Sequence, residues 1–289
     1  MATLTRKEIR LAGRKGKFSV NIESYSSARE VVEKCKSRTR TSTVFHDMPN
    51  HHIRSSWHGV SSYEEALQLL NDGYQPAVEM LRDVLKANKT SIAEQKRISF
   101  MNDIQGFAPI VPLALKGVPQ SMVNMTMKPI KCKVIDVYYD MVVSCATTPE
   151  EIIDNGKKLL GVIMNLEKKG YKFNLYAVQT YSNKNQGCDM LTIKVKDSNK
   201  PLDIKKMSYV LMHPAFFRVI GFDWYSKVPN GVYRRDYGHN IAQEVGRGGL
   251  DDFVSQVLGK NAVYFAASRL GDERHIEEEL TSHENDSKA

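Results

Sequence analysis

The pattern of apolar and polar positions gives its clearest architectural signal between Ile130 and Ser182, as strand, helix and strand. Cys132 to Val143 is rich in β-branched and aromatic residues and predicts a strand buried on at least one face. The next stretch, Thr147-Thr-Pro-Glu-Glu151, predicts a helix start. Thr148 suits the N-cap, Pro149 the first helical position, and Glu151 completes a capping box. Beyond it, Ile152, Ile153, Leu159, Leu160, Val162, Ile163 and Leu166 fall on one helical stripe. Gly156 and Gly161 each weaken that helix by about 1 kcal/mol relative to Ala, which points to close packing on a sheet. Gly170 is the expected C-cap, and Tyr171 to Tyr181 reads as a second strand. Strand, crossover helix and strand together predict a right-handed parallel unit.

The flanking chain is read in the same way. Lys17 to Ile22 predicts a short strand, and Ala28 to Cys35 a short helix capped by Ser26 or Ser27. Ser61 or Ser62 opens a helix that ends at Gly73, and Pro76 opens its partner in a helical hairpin. Residues 103–122 mix prolines and glycines with apolar residues, which predicts an ordered, packed strap. Asp189 to Lys196 alternates as a strand and puts Lys194 and Lys196 on one face. Asp203 caps an apolar helical stretch from Ile204 to Ile220, broken at Pro214. Asp251 to Val257 predicts a short helix and Asn261 to Ala266 a late strand. The expected fold class is α/β: a helical N-terminal part followed by a mixed, mainly parallel sheet with flanking helices. The expected divisions are a basic arm over 1–45, a mainly helical region over 46–128, an α/β domain over 129–270 and an acidic tail over 271–289.

Charge adds a polarity to this layout. Net charge is +8, yet residues 1–40 carry 11 Lys and Arg against 4 Glu, and residues 271–289 carry 7 acids against 2 bases. A basic start fits an acidic partner surface or a solvated arm. No apolar run reaches the roughly 18 residues of a membrane span, so no membrane partner is expected. The N-terminus lacks the apolar core of a signal peptide. Cys35, Cys132, Cys145 and Cys188 are widely spaced and contain no Cys-x-x-Cys, which predicts reduced thiols and a cytoplasmic location.

Candidate chemistry is sparse. His46, Asp47, His51, His52 and His58 are dense but match no metal-ligand spacing. With Arg54 and Trp57 they suggest a weak stacking and phosphate surface. Tyr233, Arg234, Arg235 and Tyr237 interleave aromatic and basic residues, a composition that suits single-stranded nucleic acid or a protein interface. Asp136 and Asp140 lie four apart on one predicted strand and are the candidate carboxylate pair for a divalent metal or acid–base work. Cys145 sits at a strand-to-helix corner without an identifiable histidine partner, and there is no Gly-x-Ser-x-Gly elbow. No cofactor is expected beyond that metal option.

Three stretches carry a resemblance: Trp57 to Gly73, Gly106 to Met122, and Val134 to Tyr181. Over roughly residues 55–225 the chain resembles a family of uncharacterised bacteriophage-encoded proteins. Its second half is similar in layout to von Willebrand factor A-like domains, which bind a divalent metal through Asp-x-Ser-x-Ser. Here Asp140-Met-Val-Val-Ser144 has Val142 where the first serine belongs, so the resemblance implies a degenerate metal site. It implies a non-enzymatic phage protein that binds another macromolecule or self-associates, located in the infected host cytoplasm or the virion. The alternatives are a nucleic-acid-binding protein using the basic arm and loop 231–240, and a metal-dependent enzyme using Asp136 and Asp140.

Overall fold

In the computed structural model, two sheets divide the strands between them. The structure describes residues 3–39, 53–82, 86, 96–129, 134–183, 187–228 and 240–282. The expected parallel unit is present. β6 (Val134–Asp140) pairs in parallel with β7 (Lys172–Asn183), and the helix Pro149–Lys168 crosses between them. That helix starts on the predicted box: Thr148 accepts from the Glu151 N–H, and Glu151 accepts from the Thr148 N–H.

The main sheet has six strands. β1 (Thr3–Ile9) pairs antiparallel with β2 (Phe18–Tyr25), which runs parallel to β8 (Gly187–Lys196). β8 is antiparallel to β7, and β9 (Ala262–Ala266) lies parallel to β6, giving the order β1-β2-β8-β7-β6-β9. Three of the five pairings are parallel. The fold is therefore mixed α/β. The basic N-terminal stretch is not a separate arm, as its charge suggested, but the outer hairpin of this sheet. Its apolar residues explain why: Phe18, Val20 and Ile22 alternate inward, so burying them requires pairing with β8.

Both faces of the sheet are covered. On one, Ile135, Val137 and Tyr139 of β6 and Phe173, Leu175 and Ala177 of β7 pack in a large core with α1 (Ala28–Lys36) and α6 (Pro149–Lys168). The same core takes in α7 (Ile204–Met212), the π-helical turn Phe216–Gly221 and α8 (Phe222–Ser226). α2 (Ser55–His58), α3 (Tyr63–Asp72) and α4 (Pro76–Met80) pack on this side, as does α10 (Glu273–Ser282). On the other face, Val20, Ile22, Val178 and Met190 meet α9 (Ile241–Phe253) and the π-helical turn Val254–Leu258. That turn also straps β1: Lys7 Nζ donates to the Val257 carbonyl at 2.8 Å, and the Arg10 N–H donates to Gln256 Oε1 at 3.2 Å.

Two details differ from expectation for local reasons. A β-bulge between β7 and β8 shifts the register, so Tyr176 faces Lys194 but Leu175 faces Lys196. Lys194 and Lys196 thus point to opposite faces, because one extra residue reverses the alternation. Lys196 is buried and pairs with Glu167 of α6 at 2.6 Å. Gly156 does serve close packing, but on a helix: a Cβ there would lie 2.5 Å from the Leu211 carbonyl of α7. A Cβ at Gly161 would meet nothing within 4 Å.

Candidate functional site

The second sheet is built from the stretch expected to be a packed strap. β3 (Lys96–Asp103) pairs antiparallel with β5 (Met122–Pro129) over eight residues, and β4 (Ala108–Pro109) pairs with the start of β5. A short helix, α5 (Val111–Leu115), fills the loop between β4 and β5. Gly106 permits the turn after β3, since a Cβ there would fall 2.1 Å from the Val123 carbonyl. The Phe107 N–H closes the turn on that carbonyl at 2.9 Å. Asp103 fixes it from the other side, accepting from the Ile104 N–H at 2.7 Å and from the Asn124 side-chain amide at 3.0 Å. These bonds hold its carboxyl below the usual carboxylate range.

The apolar residues of this unit are not packed. Leu115 is 83% exposed and Phe107 67%, and Phe100, Met101, Ile104, Val111, Val118 and Met125 are exposed as well. These are eight of the eleven exposed large apolar side chains among the described residues. Phe100 and Met125 are cross-strand partners, and the Phe100 and Phe107 rings lie 6.2 Å apart edge to face. The strap reading assumed that apolar residues between turns find a core. A sheet of three strands has only one layer, and the described residues place no second layer on it.

The candidate catalytic centre lies elsewhere, at the carboxyl ends of the parallel strands. Asp140 ends β6, which has β7 as its parallel neighbour on one side and β9 on the other. It is fully buried. One oxygen accepts from the Val142 N–H at 3.0 Å, and the other accepts from the Tyr264 hydroxyl at 2.5 Å and from the Thr180 hydroxyl. Thr180 Oγ1 in turn accepts from the Ile241 N–H at 2.9 Å, at the start of α9. Asn240, the N-cap of α9, donates to the Val142 carbonyl at 2.9 Å and to Ser268 Oγ at 2.8 Å. Burial pushes the Asp140 carboxyl up to about 6 despite these donors.

This arrangement ties β6, β7, β9 and α9 together and uses both carboxylate oxygens internally. Asp136 shares its face, but two residues per pleat repeat put it about 13 Å away along the strand. Asp136 accepts instead from the Asn174 amide at 2.7 Å. The two aspartates therefore do not converge, and Ser144 accepts from its own loop at the Ala146 N–H. No group of three His, Cys, Asp or Glu side chains among the described residues is arranged to hold a metal ion. The donors around Asp140 do not fit one: they are hydroxyl and amide protons pointed at the carboxylate.

Trp57 and Arg54 are placed by the core. The Trp57 indole N–H donates to the Cys145 carbonyl at 2.8 Å, and its ring lies 4.1 Å under the guanidinium of Arg218. Arg218 is buried and donates to the Trp57 and Thr147 carbonyls at 2.5 and 2.6 Å. Burial lowers its pKa to about 10. Arg54 is exposed, and its backbone N–H meets His58 Nδ1 at 2.9 Å. His58 is buried edge-on to Trp57, and burial lowers its pKa. Trp57 is thus a packing residue already stacked on a cation. The signal for Arg218 was a lone charge in the apolar run Phe216-Phe-Arg-Val-Ile220. Tyr233, Arg234, Arg235 and Tyr237, with His46, Asp47, His51, His52 and Cys132, lie outside the described residues.

No helix among the described residues is long and apolar enough to cross a membrane. No curated protein and no solved structure matches the chain. A family model described as a domain of unknown function matches residues 7–286, from within β1 to past the end of α10. The outer hairpin, the six-stranded sheet and the small apolar sheet thus fall in one family unit, and the chain belongs to the family DUF7192.

Proposed function

We propose that the protein is a non-catalytic binding protein that docks through the small sheet 96–129, with a second copy of the same chain as its partner. The observation that carries this reading is the concentration of exposed large apolar side chains on that sheet. Isolated exposed apolar residues are ordinary, but a contiguous set marks an interface. The choice of a second copy rests on the strand order β3-β5-β4. It leaves β3 on the outside, and an antiparallel edge strand is self-complementary about a two-fold axis. The phage setting implied by the sequence resemblance belongs to this reading, since coat and assembly proteins work through such contacts. The von Willebrand A-like layout also belongs to it, and its support is the position of Asp140 at the carboxyl end of β6, between the parallel strands β7 and β9.

Light scattering on the wild type and on Phe100→Ser/Phe107→Ser/Leu115→Ser tests the reading. The wild type is expected to dimerise in the micromolar range, and the variant to stay monomeric with an unchanged Tm. A wild type that is monomeric throughout contradicts it.

A second reading, nucleic-acid binding, draws on the exposed Arg6 and Arg10 in and just after the edge strand β1. It requires affinity that falls steeply with salt. Unchanged retention on single-stranded DNA after Arg6→Ala/Arg10→Ala would remove its support.

A further inference from the structure

A cleft of about 650 Å³ opens on the main sheet at the carboxyl ends of β2 and β8. These two strands are adjacent and parallel, and each leads into a helix on the same side, β2 into α1 and β8 into α7. The volume lies in the range of small-molecule sites. Its floor is apolar: the half-buried Leu70 of α3 and Val195 of β8 and the exposed Pro201 lie over the buried Ile193, Met207 and Val210.

The rim is cationic. Arg29, Lys200 and Lys206 come from α1, the turn after β8 and α7, while Lys194 is turned to the other face, over the Tyr176 ring. Two carboxylates answer these three cations. Asp197 is shared by Lys194 and Lys200, and Asp203, which also caps α7, lies 3.7 Å from Lys206. Among the described residues Arg29 donates to the neutral Asn71 side chain, at 2.7 Å, and pairs with no carboxylate. Lys196, buried at the back, is already paired with Glu167. At the start of α1 the Ser26 N–H donates to Glu30 and the Glu30 N–H to Ser27, and the helix end is no part of the case. What remains is an excess of exposed positive charge from separate elements above an open apolar floor.

We propose that this cleft binds a nucleotide-sized organic phosphate, with the phosphate held by Arg29, Lys200 and Lys206 and the planar body laid on Leu70, Val195 and Pro201. Charge without the floor would suit inorganic phosphate equally, and the floor without the charge would suit a neutral apolar molecule. Both together select an anion with an apolar body. Guanidinium and ammonium groups from different elements suit the several oxygens of a phosphate monoester. The site is separate from the small sheet, so it stands whether or not that sheet docks a second copy.

Calorimetric titration of the full chain with the four ribonucleoside monophosphates, their nucleosides and inorganic phosphate tests this. At least one monophosphate is expected to bind more tightly than about 1 mM. Its nucleoside and inorganic phosphate are each expected to bind at least about tenfold more weakly. Arg29→Gln and Lys206→Gln should each weaken binding about tenfold, while Lys260→Gln, exposed near β9, should leave it unchanged. All three substitutions lie on exposed side chains, and unchanged far-ultraviolet circular dichroism would confirm that each variant is folded. The proposal is overturned if no monophosphate binds, if a nucleoside binds as well as its monophosphate, or if Lys260→Gln weakens binding as much as Arg29→Gln.

Discussion

The two sheets use the same residue types to opposite ends. In the six-stranded sheet, Ile135, Val137 and Tyr139 on one side and Val178, Val20 and Met190 on the other are buried under helices. In the three-stranded sheet, Phe100, Phe107 and Met125 face solvent. β-propensity is sufficient to form both, because strands need only side chains that fit a pleated surface. Burial is what separates them. The large sheet has α6, α7 and α9 to cover it, while the small sheet has only the five-residue α5 within its own loop. Apolar composition therefore sets where strands form, and the surrounding elements decide whether their apolar side chains are buried or stay exposed.

Substitutions graded by environment sharpen this contrast. The largest effect is expected at Phe216, fully buried in the π-helical turn and edge to face with Tyr209. Phe216→Ala should lower unfolding free energy by about 3–5 kcal/mol in urea denaturation. A smaller, pH-dependent effect is expected at Asp140. Burial raises its folded pKa from the ordinary 3.8 to about 6, so the folded state binds this proton more tightly than the unfolded chain. The resulting stabilisation is complete below about pH 4 and is lost as pH rises through about 6. Wild-type stability should carry a falling component on the order of 2 kcal/mol across that window. Asp140→Asn should lack that component, which denaturation at pH 4, 5, 6 and 7 would reveal. The smallest effect is expected at Phe107. Phe107→Ser should change the monomer's stability by under about 0.5 kcal/mol, as at exposed sites generally. A loss near that of Phe216→Ala would mean that the small sheet has a hidden core.

The parts of the fold legible in the sequence were those encoded by local signals. Thr148, Pro149 and Glu151 mark the start of α6, Asp203 marks the start of α7, and the alternation in β6 follows burial. Long-range pairing was not legible. The hairpin of β1 and β2 read as a basic arm because its partner, β8, lies about 170 residues away in sequence. The bulge that turns Lys196 into the core leaves no mark in the alternation of Asp189 to Lys196. Asp140 was singled out, but for the wrong companion. Its partners Thr180 and Tyr264 are 40 and 124 residues distant, whereas Asp136, close in sequence, is directed to Asn174. The apolar residues of 103–122 were read as packed because composition alone does not report whether a second layer covers them.

The central claim is that the small sheet is an interface left open in the single chain. Amide hydrogen exchange across β3, measured on the wild type at two protein concentrations about a hundredfold apart, tests it most directly. Strand pairing across a two-fold axis would protect the outward-facing amides of β3 (Lys96–Asp103) at the higher concentration, while exchange in β6 and β7 stays unchanged. Identical exchange across β3 at both concentrations would contradict the account.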